Sequence, residues 1–406
     1  MSPAPVRTSV IVVSRHRPEH LATCLRGLAQ LDHPDFEVIV VADPEGLAVT
    51  EALPVKRILF DEANISAARN AGIVVAAAPV IAFIDDDAVP EPTWLCRLTT
   101  PFADPRVIAA GGFVRGRNGI SYQWKASQTD RLGVSHGLSV DMGQATLLPP
   151  PPEGAIRTEG TNCAFRRDAV AALGGFDPAF RFYLDETDLN LRLTTSGGLT
   201  AIVPGAQVHH GFAASARRRA DRTPTDLHEI GASSAVFWRK HAPANATPKA
   251  REALMEAQRM RLENYVADGR LPRAALGPLI LSLTEGLDAG EARPINPLPA
   301  IGPASEAFLP FPAGPRPRRI IAGRIWQARA KRAEAARAVA QGAVVSLFLF
   351  APSIRRHRVR FHPEGYWEQS GGLWGKSDRD QPAFAPWGFA ARLRHEIARI
   401  APFRGL

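Results

Sequence analysis

Three consecutive aspartates, Asp85, Asp86 and Asp87, follow an apolar segment at residues 80–84. The segment is typical of a buried strand, and open α/β sheets bind ligands beyond the carboxyl ends of their strands. Alternate side chains of an extended chain point the same way, so we expect Asp85 and Asp87 on one side and Asp86 on the other. Adjacent carboxylates repel unless they are compensated, which favours Mg²⁺ or Mn²⁺ bound by oxygen ligands. A solvated acidic loop is the alternative.

A second acidic group, Asp185, Glu186 and Asp188, opens a predicted helix. Acidic residues in a first helical turn favour the helix dipole, and Asp188 with Arg192 makes an ordinary i,i+4 ion pair. Helix stability therefore explains much of this pattern. One of these carboxylates could also act as a general base if the fold brings it opposite the aspartates.

Alternating strand and helix patterns in the first 115 residues predict a parallel sheet with crossover helices that would position both acidic groups. Residues 120–150 show no clear pattern. Later segments again carry helix and strand patterns, including a helix at 185–196. The predicted strands are 8–14, 37–42, 55–59, 80–84, 107–114, 163–166, 200–203 and 207–210, with further helices at 66–77, 228–241 and 248–268.

The composition indicates a globular chain of two or three units, with 406 residues, 45% hydrophobic and 22% charged. These figures exclude a stapled mini-protein and wholesale disorder. The positive charge is concentrated at the C-terminus, because residues 316–406 hold 18 Lys and Arg against 6 Asp and Glu, or +12, whereas the rest is −3. Eight prolines between Glu291 and Arg319 indicate a linker rather than a packed element.

The basic C-terminal region contains a helix-compatible run at 325–341, an apolar run at 343–350 and a basic run at 355–358. Basic flanks around a short apolar segment suit an interfacial helix on an anionic membrane surface, which we favour slightly over a folded accessory unit with solvated arginines. Nucleic acid is not an expected partner, since no base-reading module accompanies the charge.

The cysteines and the N-terminus favour a cytoplasmic protein. Cys24, Cys96 and Cys163 are widely spaced and odd in number, which fits thiols in a reducing compartment. The first residues lack an apolar segment of secretory length, and no apolar run is long enough to cross a bilayer. We expect a cytoplasmic location, with the C-terminal region as a candidate contact to the inner face of the cell membrane.

Six ordered segments lie at compatible spacing between about residues 6 and 240. They are 10–18, 64–72, 82–95, 160–177, 185–192 and 204–210, and they include the Ala68-Arg69-Asn70, Asp85-Asp86-Asp87 and Asp185-Glu186-Thr187-Asp188-Leu189 motifs. Together they resemble the family 2 glycosyltransferases, inverting enzymes that use nucleotide sugars and have the GT-A fold. Six segments in order are far more specific than one acidic triplet.

The resemblance implies a role for individual residues. Glu186 falls where the family has its catalytic base, flanked by Asp185 and Asp188. Asp85 and Asp87 would hold Mg²⁺ or Mn²⁺, with His210 as a further ligand. The residues implied in donor binding are Ser14, Asp43, Arg69, Asp85 and Asp86.

We therefore expect an α/β GT-A-like mixed sheet flanked by helices over residues 1–240. A helical extension at 241–290, a proline-rich linker at 291–319 and the basic region at 320–406 would follow. The expected reaction is metal-dependent, inverting transfer from a nucleotide-sugar donor to a hydroxyl of a cell-surface glycan or its lipid-linked precursor. A nucleotidyltransferase of related fold and a catalytically silent, membrane-associated scaffold of glycan assembly are the alternatives.

Overall fold

The computed structural model describes residues 5–211, 213–243 and 245–406. In chain order its strands are β1 Thr8–Ser14, β2 Phe36–Ala42, β3 Lys56–Leu59, β4 Val80–Asp85, β5 Ala88–Pro90, β6 Val107–Arg115, β7 Tyr122–Trp124, β8 Ser127–Thr129, β9 Ser135–Gly137, β10 Thr146–Leu148, β11 Ala155–Arg157, β12 Cys163–Arg166, β13 Leu199–His210, β14 Arg318–Arg324, β15 Val344–Ala351, β16 Arg358–Phe361 and β17 Trp367–Gly372. Its α-helices are α1 Pro18–Leu28, α2 Pro44–Ala48, α3 Ile65–Val75, α4 Trp94–Thr99, α5 Arg167–Ala172, α6 Asp185–Leu193, α7 His228–His241, α8 Thr247–Ala267, α9 Leu276–Ala292, α10 Ala328–Ala340 and α11 Phe389–Arg404.

The central sheet runs in the order β10-β13-β6-β12-β4-β1-β2-β3, with β5 added to β13 and β7 to β6. The first four strands pair in parallel, whereas β12 runs antiparallel to both β4 and β6. This arrangement confirms the predicted mixed α/β sheet flanked by helices. The two strands predicted near 200–203 and 207–210 are one long strand, β13, whose register shifts between Val203 and Gln207.

Apolar side chains cover both faces of the sheet. Val10 and Val12 of β1 pack with α1 and α4 on one face, whereas Ile11 packs with α3, α5 and α6 on the other. The parity of a residue in β4 therefore decides which helices it faces, because side chains alternate along a strand. The even-numbered Ala82 joins the α1 face, and the odd-numbered Phe83 joins the α6 face.

The stretch at 120–150, where the sequence shows no clear pattern, contains four short strands, and a fifth, β11, follows it at Ala155–Arg157. Three of them form a separate small sheet in the order β11-β8-β9, and the other two extend the central sheet. Each strand has only three residues, which is too short for a periodic pattern to appear in the sequence.

The helices after the central sheet pack on one another. Helix α7 lies against α9 with Gly231, Gly286 and Gly290 at the contact. A Cβ at Gly286 would lie 2.0 Å from the His228 carbonyl oxygen, so the helices approach too closely for any larger residue.

The proline-rich segment is extended, as its prolines predict, but it is packed against the first sheet. Phe311 is buried in the core, and its backbone N–H donates to the Phe36 carbonyl at 2.8 Å. Two residues before Phe311, the Leu309 N–H donates to the buried carboxylate of Glu37 at 2.9 Å. Residues 293–317 therefore pack along the central sheet and do not form a linker between separate units.

The basic C-terminal region is folded. Its four-stranded sheet has the order β14-β15-β17-β16, with α10 and α11 packed against it. The run at 325–341 is helical as predicted, but the apolar run at 343–350 is the central strand β15, whose residues are buried. The interpretation of that apolar run as a membrane-contacting segment is wrong, because its side chains fill the core of this unit.

Buried contacts join the C-terminal unit to the central sheet. Arg404 of α11 donates to Glu91 at 2.9 and 3.2 Å, and Val359 and Trp367 pack with Val89 in one apolar cluster. Within the part of the chain that the structure describes, no helix combines the length and apolar character needed to span a bilayer.

Candidate active site

The ends of β1 and β4 bring together the residues that the sequence singled out. Asp86 continues the α1 face of the sheet, where its carboxylate accepts a hydrogen bond from Ser14 at 2.7 Å. Asp85 faces the α6 side instead, where Arg69 lies 3.6 Å away. The prediction that the side chains of Asp85 and Asp86 point to opposite sides is therefore confirmed.

Asp85, Asp87 and His210 form a cluster that could hold a metal ion. One ligand atom from each residue lies within 4.8 Å of the others. His210 Nε2 lies 3.1 Å from Asp87 Oδ1 and 3.9 Å from Asp85 Oδ2. Two carboxylates and an imidazole are a suitable donor set for Mn²⁺ or Mg²⁺.

A hydrogen bond fixes the orientation of the His210 ring. Its Nδ1 lies 3.0 Å from Gln123 Oε1, so Nε2 is on the side of the aspartates. Nε2 would therefore be the nitrogen that binds a metal ion held by Asp85 and Asp87. Trp124 stacks on the other side of the ring at 5.7 Å and holds it in place.

Asp86 and Asp87 differ in charge because their partners differ. Burial raises the pKa of Asp86 to about 7, against the opposing effect of Arg17. Burial would also raise the pKa of Asp87, but His210 and Arg17 outweigh it and hold that pKa well below its usual range. Asp87 is therefore the carboxylate with the lowered pKa and belongs to the cluster, whereas Asp86 accepts a hydrogen bond from Ser14.

Arg69 connects the aspartate cluster to the second acidic group. Its guanidinium donates to Asp185 and to the Gly160 carbonyl at 3.3 Å, and it lies 3.6 Å from Asp85. Phe176 packs against the guanidinium at 5.1 Å, so the arginine is buried and fixed. The contact that the resemblance assigns to Arg69, with the donor, stays a prediction, since the side chain here bridges two aspartates.

Asp185 and Glu186 have pKa values shifted in opposite directions. Burial raises the pKa of Asp185 to about 8, with Glu186 adding to the rise and Arg69 opposing it. Burial also acts on Glu186, but Arg157 and Arg69 outweigh it and lower the pKa of that carboxyl. A buried carboxyl pair divided in this way keeps one proton at neutral pH, with Glu186 as the ionised member.

Two residues that the sequence analysis missed lie beside Glu186. Arg157 Nη2 lies 3.3 Å from Glu159 Oε2 and 3.4 Å from Glu186 Oε1. Burial raises the pKa of Glu159 to about 7, against Arg157 and with Glu186 and Asp85 adding to the rise. The sequence signal was weak: Glu159 directly precedes the Gly160 segment, but the strand before it, β11, which carries Arg157, has only three residues.

Asp188 lies away from this group. Its carboxylate is fully buried between Arg192 at 2.8 Å, Lys240 at 2.7 Å and His241 at 2.8 Å. Burial opposes these partners, but they hold the pKa of Asp188 well below its usual range. Asp188 therefore anchors α6 through these contacts, and its side chain does not lie beside Glu186.

Asp43 sits at the end of β2, one strand further from the aspartates. It is buried, and its Oδ1 accepts a hydrogen bond from the His16 backbone N–H at 2.9 Å. His16 has a left-handed backbone with φ of 56°, which is strained for a residue with a side chain. Asp43 therefore holds the loop after β1 in this conformation, and its predicted contact with a nucleotide base stays a prediction.

The start of α6 is also strained. Tyr183 and Leu184 both have left-handed backbones, with φ of 71° and 64°. Two such residues in succession reverse the chain sharply before Asp185, so the helix begins with its acidic residues directed at Arg69 and Arg157.

A cavity of about 700 Å³ opens beside the aspartates. Asp87 and His210 form one end, and α1 runs along its side through His20 and Thr23. The C-terminal unit supplies part of the opposite wall through Arg360 and neighbouring residues of β16. Residues of both the central sheet and the C-terminal unit therefore surround the approach to Asp87.

Comparison with known proteins gives a family match over the first part of the chain. The sequence model described as Glycosyl transferase family 2 matches residues 9–174. This span contains the aspartate cluster and Arg69, and it ends before Glu186 and His210.

Two curated relatives match at similar identity. The succinoglycan biosynthesis protein ExoM of Rhizobium meliloti (strain 1021) is 32% identical over 217 residues, which are 49% of this chain and 64% of that protein. A pre-mycofactocin glycosyltransferase of Mycobacterium tuberculosis (strain CDC 1551 / Oshkosh) is 30% identical over 151 residues, 36% of this chain and 29% of that protein. The chain thus spans less than two thirds of the length of both relatives.

A solved structure similar to this chain is the mannosyltransferase PcManGT from Pyrobaculum calidifontis, in complex with GDP-Man and Mn²⁺. It is 18% identical, with a TM-score of 0.43, over 70% of this chain and 87% of that one.

Proposed function

We propose, since residues 9–174 of this chain match the Glycosyl transferase family 2 model, that the protein transfers a sugar from a nucleotide-sugar donor to an acceptor hydroxyl. The observation that carries the proposal is the position of Arg69, which donates to Asp185 beside Glu186 and lies 3.6 Å from Asp85. The acidic cluster is suited to bind a cation that holds a diphosphate, and the ionised carboxylate is suited to act as a base. Both therefore lie beside the same arginine, Arg69. This juxtaposition supports a displacement reaction between them.

Glu186 is the base in this proposal. It is the ionised member of its pair, and its side chain retains 13% exposure, against 5% for Asp185. Glu186 takes the proton of the acceptor hydroxyl as that oxygen forms a bond to the anomeric carbon. The bond from the anomeric carbon to the diphosphate breaks and its electron pair leaves with the nucleoside diphosphate, so a single displacement inverts the carbon.

Asp85, Asp87 and His210 are the proposed ligands of a divalent cation. The lowered pKa of Asp87 and the position of His210 Nε2, 3.1 Å from Asp87 Oδ1, fit such a role. A bound Mg²⁺ or Mn²⁺ would supply charge neutralisation to the departing diphosphate. Arg17, 3.6 Å from Asp87, is a second cation at this end of the cavity.

We also propose that the acceptor is a cell-surface glycan or its lipid-linked precursor, and that the C-terminal unit contacts an anionic inner membrane surface from the cytoplasm. The relative ExoM, a succinoglycan biosynthesis protein, supports a glycan acceptor. Trp326 is 68% exposed beside Ile325 and close to Arg324, so an apolar group with a basic neighbour is available at the surface. Weaker pelleting of W326S than of the wild type with anionic liposomes would support the membrane contact, and equal pelleting would contradict it.

Turnover of a panel of UDP-, GDP- and dTDP-sugars with and without Mn²⁺ tests the proposed activity. We expect release of nucleoside diphosphate that EDTA abolishes and that Asp87→Ala lowers by more than about 100-fold, because a ligand of the cation is lost. Glu153→Gln, at an exposed position, is the matched control. Turnover that survives both EDTA and D87A would contradict the metal role.

The two alternatives give different results in the same assay. Binding of nucleotide sugars without any transfer would favour the silent scaffold. Formation of a nucleotide sugar from a sugar phosphate and a nucleoside triphosphate, with release of pyrophosphate, would favour the nucleotidyltransferase.

A further inference from the structure

Glu159 is a buried carboxylate in a crowded acidic environment. Its side chain is 6% exposed, and Glu186 and Asp85 are both close enough to disfavour its charge. Among the described residues, Arg157 Nη2 donates a hydrogen bond to the Glu159 side chain at 3.3 Å. The same nitrogen also donates to Glu186. Such a group costs stability unless further hydrogen bonds satisfy it.

The backbone around Glu159 is held rigidly. The Glu159 carbonyl accepts a hydrogen bond from the Asn162 N–H at 2.8 Å, which closes a tight turn. The Asn162 side chain in turn accepts from Trp94 Nε1 at 2.7 Å and donates to the Phe113 and Ala206 carbonyls. The position of Glu159 is therefore fixed by the core of the central sheet, as expected for a preorganised binding group.

We propose that Glu159 determines specificity for the donor by accepting a hydrogen bond from a hydroxyl of the sugar that is transferred. The inference rests on the proposed function and deepens it. Arg157 joins Glu159 to Glu186, and the carbonyl of the next residue, Gly160, accepts from Arg69, which lies 3.6 Å from Asp85. In a single displacement the transferred sugar lies between the diphosphate and the base, so Glu159 adjoins the space that the sugar occupies.

A sugar hydroxyl would also account for a buried carboxylate at position 159. A carboxylate can accept hydrogen bonds from the hydroxyls of a sugar, and it brings no positive charge to the site. Among the described residues, Arg157 Nη2 serves both Glu159 and Glu186, and a hydroxyl that donates to Glu159 would give that carboxylate a further hydrogen bond. The transferred sugar thereby completes the hydrogen bonding of the pocket.

Binding of nucleotide sugars and of the matching nucleoside diphosphates distinguishes this role from others. We would measure UDP-glucose, UDP-galactose, UDP-N-acetylglucosamine and GDP-mannose against UDP and GDP by calorimetry with Mn²⁺, on the full chain. For the sugar that the wild type binds best, we expect Glu159→Gln to weaken binding about 10- to 100-fold, the usual range for a hydrogen bond to a charged group. Binding of the matching diphosphate should change less than about twofold.

Other outcomes would overturn the inference. Equal weakening of the sugar nucleotide and the diphosphate would place Glu159 at the metal or the diphosphate, and unchanged binding of both would deny it any contact with the donor. A wild-type chain that binds no nucleotide in the panel would contradict the proposed function itself, and the inference with it.

Thermal unfolding separates binding from a structural role. Because Glu159 is crowded by other acids, Glu159→Gln should unfold at the same or a higher temperature than the wild type. A markedly lower unfolding temperature would instead show that the Arg157 pair is structural. Glu153→Gln, at an exposed position, is again the control, and Glu159→Asp tests whether a retracted carboxylate loses the sugar preference.

Discussion

Glu186 and Asp185 are adjacent acids with different environments, and this difference assigns their roles. Asp185 bonds with Arg69 and is almost fully buried, whereas Glu186 is held by Arg157 and remains partly exposed. Their pKa values are displaced in opposite directions, so the proton of the pair resides on Asp185 near neutral pH. The partly exposed member is thus the one able to take a proton from an acceptor.

We expect Glu186→Gln to lower the transfer rate by about 10²- to 10⁴-fold, the usual contribution of a general base. Glutamine keeps the size of the side chain and removes its basicity, so donor affinity should stay within about twofold. Single-turnover transfer and calorimetric donor binding measure the two quantities. If donor binding falls as much as transfer, Glu186 is structural rather than the base.

Helix α6 depends on Asp188 for its position. Asp188 and Arg192 belong to α6, whereas Lys240 and His241 belong to α7, so one buried carboxylate joins the two helices. This link holds the acidic first turn of α6 in front of Arg69. Asp188 therefore influences the site through the helix and not through contact with substrate.

Asp188→Asn should lower the free energy of unfolding by about 3 kcal/mol, because it removes the buried anion that Arg192, Lys240 and His241 share, although Lys240 keeps Asp177. The denaturant midpoint measures this loss. Glu186→Gln, two residues earlier in α6, should leave that midpoint nearly unchanged. If instead Asp188→Asn abolishes transfer in fully folded protein with an unaltered midpoint, Asp188 acts in the reaction.

The sequence predicted the parts of the site that short-range patterns determine. Asp85 and Asp86 could be assigned to opposite faces because they end a strongly apolar strand, where side-chain alternation is reliable. Glu159 could not be found, since its position depends on three-residue strands from a region without periodicity. The burial of Asp188 depends on Lys240 and His241, which only the tertiary fold brings near it.

The same reasoning explains the C-terminal unit. An apolar run between basic segments is compatible with both a membrane contact and a buried strand, and periodicity does not distinguish them. The fold decides, because β14 and β17 pair with β15 on its two sides and α10 and α11 cover its faces. Charge along the sequence therefore located the unit but could not assign its structure.

The C-terminal unit and the central sheet meet around a buried ion pair close to the metal cluster. Glu91 is 2% exposed and Arg404 is 1% exposed, and Glu91 also lies 2.8 Å from His209, the neighbour of His210. Arg404 further packs over Trp367 at 4.5 Å and donates to Ser346. The pair therefore links the last helix of the chain to the strand that carries the proposed metal ligand.

The stability of this interface should depend on pH through Glu91. Burial alone would raise the pKa of Glu91, but Arg404 and His209 hold it well below its ordinary value of 4.5. A lowered pKa in the folded state means that the ionised carboxylate stabilises the fold above about pH 5 and that this contribution is lost as the pH falls further. Glu91→Gln removes the contribution at every pH.

We therefore expect the wild type to exceed Glu91→Gln in unfolding free energy by about 3 kcal/mol at pH 7, with the difference shrinking between about pH 5 and pH 3. Denaturant midpoints across this range measure the difference, with Glu153→Gln as an exposed carboxylate control. A difference that stays constant with pH would contradict the ion pair as its source. Loss of the pair also removes the hydrogen-bond partner of His209, so weaker Mn²⁺ binding by Glu91→Gln at pH 7 would connect the C-terminal unit to the proposed metal site.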